Sequence, residues 1–241
     1  MDVIFPALDH LPLAGTLSEP QGTVHGAVVI GSAMGVPRAF YGAFTEYLAE
    51  GGLATLRFDY RGIGGSLRGS VRESDATMHA WGEQDLAGAL RFLRDRHPGI
   101  PLLLVGHSAG GQLFGLVPEP NQVRAMLAVG AQSGYWGNWR GAGRLRMLFY
   151  WKVLFPALTH ALGYLPLRSL TGGGDDVPPG VALEWASWGR DPDYVLSYAR
   201  RKDGARGYAR FTDFFQRRFR DTLWSDARSW LFSQPSSQAA A

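Results

Sequence analysis

The stretch VGHSAGGQLFG, Val105 to Gly115, decides how the chain folds. It closes an apolar run, Pro101 to Val105, and opens a short helical pattern, so Ser108 falls where a strand hands over to a helix. The G-x-S-x-G spacing of Gly106, Ser108 and Gly110 is the one that holds a nucleophile on a strained strand-to-helix turn. Small neighbours are needed there because strand, turn and helix come too close for larger side chains. Acyl transfer at that serine also needs donors aimed at the developing oxyanion. The Ala109 amide, directly after the serine, is the expected first donor. The Met34 amide, in the loop GSAMG from Gly31 to Gly35, is the expected second.

On either side of this turn, short apolar runs alternate with helical patterns. GAVVIG (Gly26 to Gly31) reads as a buried strand. Arg38 to Glu50, with Phe40, Phe44, Tyr47 and Leu48 at spacings of three and four, reads as the helix after it, stopped by Gly51-Gly52. Leu53 to Gly62 is the next strand, Trp81 to His97 a helix with Leu86, Leu90 and Leu93 on one face, and Val123 to Gly130 a further strand. This alternation predicts an α/β fold with a mostly parallel sheet and flanking helices. From Gly134 to Tyr194 it stops. That segment is rich in Trp, Tyr and Leu and contains the turn-prone TGGGDDVPPG, which predicts a helical cap inserted after a sheet strand. Trp139, Phe149, Trp151 and Phe155 are expected to turn apolar surface toward the serine cleft. Asp213 to Phe232 carries Phe215, Phe219, Leu223, Trp230 and Leu231 at helical spacing. The expected organisation is a core at residues 1–133, a cap at 134–194, and a short linker with a terminal core helix at 195–241.

Composition removes several classes of function. With 241 residues, 46% hydrophobic and 19% charged, the chain suits one well-buried domain with an insertion. The net charge of +3 is small and the basic residues are scattered, so no nucleic-acid partner is expected. The absence of cysteine excludes disulfides, thiolate metal sites and a cysteine nucleophile. The start, MDVIFPALDHLPLAG, lacks the basic and apolar regions of a signal peptide, and a cytoplasmic location is expected. Met147 to Pro166 is the nearest approach to a membrane run, but Lys152, Pro156 and His160 interrupt it. It reads as an apolar helical lid or core segment, with contact at a membrane surface as the disfavoured alternative. No cofactor or metal is implied.

Taken together, GSAMGVPRAFYGAFTEYLAEGGLATLRFDYRGIGGS, the serine turn and VGAQSGYWGNW resemble a bacterial group of the α/β-hydrolase superfamily, related to serine aminopeptidases and lysophospholipases. The likeness covers about the first two-thirds of the chain and resumes at FFQRRFRDTLW, Phe214 to Trp224. It implies an α/β-hydrolase fold with Ser108 as nucleophile, an oxyanion hole and a helical cap. It also implies an acid after a late strand and a histidine just before the last helix. Here the sequence departs: where resembling proteins have Gly-His-Phe-Gly, this chain has Arg210-Phe211-Thr212-Asp213, with Phe211 at the histidine position. Only about 20 residues separate Tyr194 from Phe214, too few for the strand, acid, helix and strand expected between them. The late strands are therefore expected to be missing.

The expected activity is ester, thioester or amide cleavage through an acyl-enzyme at Ser108, on a small apolar acyl or aromatic substrate and with impaired turnover. The rival is a non-catalytic remnant or small-molecule-binding protein that keeps the pocket without the base. Of the six histidines, His107 is read as a structural neighbour of the turn, and His79 and His160 are the candidate substitute bases. Asp175, Asp176, Asp191 and Asp193 are available to orient one, so the acid stays unassigned. Asp59 is expected to organise its loop. No histidine nitrogen is expected within about 3.2 Å of the Ser108 hydroxyl, the reach of a direct hydrogen bond.

Overall fold

The computed structural model describes residues 1–198. Its sheet has six strands in the order β1-β2-β4-β3-β5-β6. β1 (Asp2–Pro6) and β2 (Pro12–Ser18) form an antiparallel hairpin, and β2 runs antiparallel to β4 (Leu53–Phe58). β3 (Gly26–Gly31), β4, β5 (Leu102–His107) and β6 (Ala125–Val129) are parallel to one another. Every residue of β3 is buried, as befits a central parallel strand covered on both faces.

The period-two alternation of strand side chains divides the core into two layers. Val28, Ile30, Leu103 and Val105 pack on one face with Tyr41 and Leu48, which brings in α1 (Gly42–Glu50). Val29, Leu56 and Leu104 pack on the other with Leu86, Leu90 and Leu93. These last come from one continuous helical run between β4 and β5: α2 (Met78–Ala80), a π-helical turn (Trp81–Leu86) and α3 (Ala87–Arg96). The run starts three residues earlier than the periodicity predicts because the Thr77 hydroxyl accepts the Ala80 N–H and caps it. β4 ends at Phe58 rather than Gly62. Asp59 stops it: its carboxylate accepts the N–H groups of Arg38 (2.6 Å) and Gly65 (2.9 Å) and pairs with the Arg38 guanidinium.

After α4 (Ala109–Leu113) and β6 the chain turns helical, with α5 (Gly141–Phe149), a π-helical turn (Tyr150–Leu154), α6 (Phe155–Leu162), α7 (Leu167–Thr171) and α8 (Pro179–Arg190). Between Gly134 and Tyr194 the described residues form no strand, only an isolated bridge between Leu165 and Val177. Trp151 and Phe155 are buried in an aromatic cluster with Trp185 of α8. Trp139 and Phe149 are solvent-exposed. Among the described residues no helix is long and apolar enough to cross a membrane. Phe211 and the expected helix at 213–232 lie outside the described residues.

Candidate functional site around Ser108

Ser108 follows the last residue of β5 and precedes α4, with φ 48° and ψ −112°. A non-glycine residue in that region is strained by about 1–3 kcal/mol and persists only where its surroundings fix it. They do so here. The Ser108 N–H donates to the Val129 carbonyl (2.8 Å), and the Ser108 carbonyl accepts the N–H groups of Gly111 and Gln112 (3.2 Å each). The glycines are steric requirements: a Cβ on Gly110 would collide with the Gly31 backbone, and one on Gly106 with the Gly111 backbone. Strand β3, strand β5 and helix α4 thus meet backbone to backbone, which brings the loop after β3 alongside the serine. Residue Ala109 opens α4, where an N–H has no acceptor within its own helix.

The loop from Gly31 to Gly35 is pinned from both sides. The Ala33 N–H donates to the Tyr41 hydroxyl (3.0 Å), which lies 2.9 Å from Nδ1 of His107. The Tyr41 hydroxyl donates to Nδ1 when the imidazole proton sits on Nε2 and accepts from Nδ1 in the other tautomer. Burial holds His107 below its ordinary pKa and so favours the neutral ring. On the other side the Asp175 N–H donates to the Gly35 carbonyl (2.6 Å). The TGGGDDVPPG turn therefore sits directly on the loop that carries Met34, itself buried.

The remaining candidates have partners of their own. Nδ1 of His79 lies 3.0 and 3.1 Å from the two carboxylate oxygens of Glu184, and its Nε2 lies 3.2 Å from the Thr77 hydroxyl. The His79 ring also stacks on Tyr198 at 4.8 Å. His160 is exposed on α6. Among the described residues, which include all six histidines, no hydrogen bond joins one to the Ser108 hydroxyl. Asp175 accepts from Arg168 (2.8 Å) and from the Gly64 N–H (3.1 Å), and Asp176 accepts the Arg168 N–H (3.1 Å). Asp191 accepts the Asp193 N–H at 2.9 Å. No group of three or more metal-ligating side chains assembles among the described residues.

Sequence reading missed four participants. Tyr41 links the Ala33 amide to His107 across 66 positions, and Glu184 reaches His79 across 105. Tyr194 and Gln112 form the third connection: the Trp185 indole N–H donates to the Tyr194 hydroxyl (2.9 Å), which donates to the Gln112 side-chain carbonyl (3.3 Å). The aromatic cluster thereby reaches the helix that Ser108 opens. The contacts of Tyr41 with His107, Glu184 with His79 and Tyr194 with Gln112 each span more than 60 positions, so no local pattern announces them.

A family model described as serine aminopeptidase, S33, matches residues 22–175. Among solved structures, the chain is similar to an α/β serine hydrolase without a lid from Xanthomonas campestris, at 16% identity and TM-score 0.46, covering 59% of this chain and 64% of that one. It is similar to the esterase Pf2001 of Pyrococcus furiosus at 21% identity and TM-score 0.40, covering 47% and 44%. The α/β hydrolase GrgF from a Penicillium species gives 21% identity and TM-score 0.48, covering 84% and 66%. The chain thus spans 64% and 44% of the length of the first two. No curated protein sequence matches it.

Proposed function

The chain belongs to the serine aminopeptidase S33 family of α/β hydrolases, and from that premise we propose that it performs acyl transfer at Ser108, with the Ala109 and Met34 amides as oxyanion donors. The observation that carries the reading is the strained Ser108 backbone at a glycine-packed strand-to-helix turn. In this reading the Ser108 Oγ attacks an ester, thioester or amide carbonyl and the two amides receive the oxyanion, in a geometry set before substrate arrives. The abundance of Trp, Tyr and Leu in residues 134–194, whose Trp151, Phe155 and Trp185 cluster connects to Gln112 through Tyr194, supports a small apolar acyl or aromatic substrate. Residues 134–194 act as the cap over this site, held to it by the contact of Asp175 with Gly35.

Turnover is slow in this reading because no imidazole is positioned to take the serine proton. Phe211 at the family's histidine position and the other engagements of His79 and His107 support this. An oxyanion hole and binding alone retain roughly 10³–10⁴-fold acceleration over water when a triad member is removed. The same observations favour a second reading, a ligand-binding protein that keeps the pocket without chemistry. A fluorophosphonate probe separates the two. Slow labelling that Ser108→Ala abolishes, with weak turnover of p-nitrophenyl esters, is the expected result. A folded sample that takes no label supports the binding protein instead, and fast turnover lost in His79→Gln or His160→Gln identifies a substitute base.

A further inference from the structure

The helices after β6 carry two rows of side chains at spacings of four. Trp151, Phe155 and Thr159 form the buried row. Leu145, Phe149, Val153, Ala157 and Ala161 form the other, and it faces solvent: Leu145 is 70% exposed, and Phe149 and Val153 are each 50% exposed. In an ideal α-helix such a row drifts by about 40° at each step of four residues. The wider π-helical turn at Tyr150–Leu154 takes part of that drift back, so the outer row stays on one side. An apolar ridge of this length at the surface of a water-soluble fold marks an interaction site.

The charge around the ridge says what it meets. Residues 134–174 contain Arg140, Arg144, Arg146, Lys152 and Arg168 and not one carboxylate. Arg168 is engaged by Asp175. The other four have no carboxylate partner among the described residues, and Arg144 lies over the Trp136 ring at 4.6 Å. Arg144, Arg146 and Lys152 are exposed on the same helical run as the ridge. We propose that this face of α5 and α6 docks on an anionic lipid surface, the ridge entering the boundary between headgroups and acyl chains and the four cations meeting lipid phosphates. Exposed apolar residues bordered by Arg and Lys, on helices unable to span a bilayer, have the chemistry of an interfacial helix. A second copy of the chain would place cations against cations. The segment 199–241 carries nine cations and four carboxylates, so its net charge has the same sign as this face and does not complement it.

The test uses the full chain and flotation with two vesicle compositions, pure phosphatidylcholine and phosphatidylcholine with roughly a third phosphatidylglycerol. Binding is expected on the anionic vesicles and to be about tenfold or more weaker on the neutral ones. Leu145→Gln/Phe149→Gln and, separately, Arg144→Gln/Arg146→Gln/Lys152→Gln should each weaken anionic binding by about tenfold or more, the second set also removing its salt dependence. All five positions are exposed, so far-UV circular dichroism should be unchanged in both variants. The proposal is overturned if the parent chain ignores anionic vesicles or the variants bind as it does. It is equally overturned by a vesicle-free dimer that Leu145→Gln/Phe149→Gln dissociates, or by amide protection of residues 141–162 without vesicles that the same variant removes, which would place a second copy or the chain's own segment on the ridge.

Discussion

At the scale of single residues, the site is a problem of backbone clearance. Gly31, Gly106 and Gly110 let three backbones touch, and the strain at Ser108 is held by the contacts they permit. Gly110→Ala sets a methyl against the Gly31 carbonyl, which belongs to a central strand and has nowhere to move. A loss of about 3 kcal/mol or more is expected in urea unfolding, in the range of severe core overpacking. Gly115→Ala is the control. No atom lies within 4 Å of its Cβ position, and a change within about 1 kcal/mol is expected, because removing a glycine mainly reduces unfolded-state freedom. The steric need at Gly106 and Gly110 was legible from the pentapeptide. That Gly31 is the surface Gly110 meets was not, because the contact joins β3 to α4 across 79 positions and depends on strand order.

The parallel strands and their crossover helices announce themselves as elements, since unbroken apolar runs and helical leucine spacing are local signals. The β1–β2 hairpin does not: β1 buries only Phe5 fully, and prolines stand at its end and at the start of β2. The two π-helical turns are equally silent, because an extra residue in a turn leaves the composition of the helix unchanged. The link from β5 through His107 and Tyr41 to the Ala33 amide also operates between elements. Tyr41→Phe removes both hydrogen bonds and frees the loop that carries Met34. On the proposal that the Met34 amide is an oxyanion donor, kcat for p-nitrophenyl esters should fall about tenfold while KM changes little, the pattern of an interaction made chiefly in the transition state. An unchanged kcat would show that the loop is held by Asp175 alone. His107 adds a pH signature. Its folded pKa is depressed by burial, so below the ordinary value of about 6.5 the unfolded chain binds a proton that the folded chain resists. The contribution of His107 is complete above that pH and lost as pH falls through it toward the lower folded value. The stability gap between the parent and His107→Gln should therefore narrow between pH 7 and pH 5.

For the whole molecule, the question is whether the helices after β6 are a separable unit, as the reading of residues 134–194 as an insertion suggests. One buried cluster argues against independence: it runs without a break from Leu13, Val29, Leu56 and Leu104 of the sheet to Trp151, Phe155, Trp188 and Tyr194. Trp151 is central to the second half. It is 2% exposed, donates its indole N–H to the Gly134 carbonyl at 2.9 Å and packs edge-on against Trp185 and Phe155. Glycine at position 189 lets α8 lie against its ring, since a Cβ there would collide with the indole. Trp151→Ala opens a cavity and removes the partner of a half-buried carbonyl, which should cost about 3–5 kcal/mol. If helices and sheet form one cooperative body, tryptophan fluorescence and far-UV circular dichroism should shift to lower urea together and by the same amount. A variant whose fluorescence changes at low urea while its far-UV signal keeps the parent midpoint would instead show that the helices melt off an intact sheet. The coincident shift is the outcome expected from Tyr194. Its buried hydroxyl joins Trp185 to Gln112, so loosening the aromatic cluster also loosens the helix that Ser108 opens.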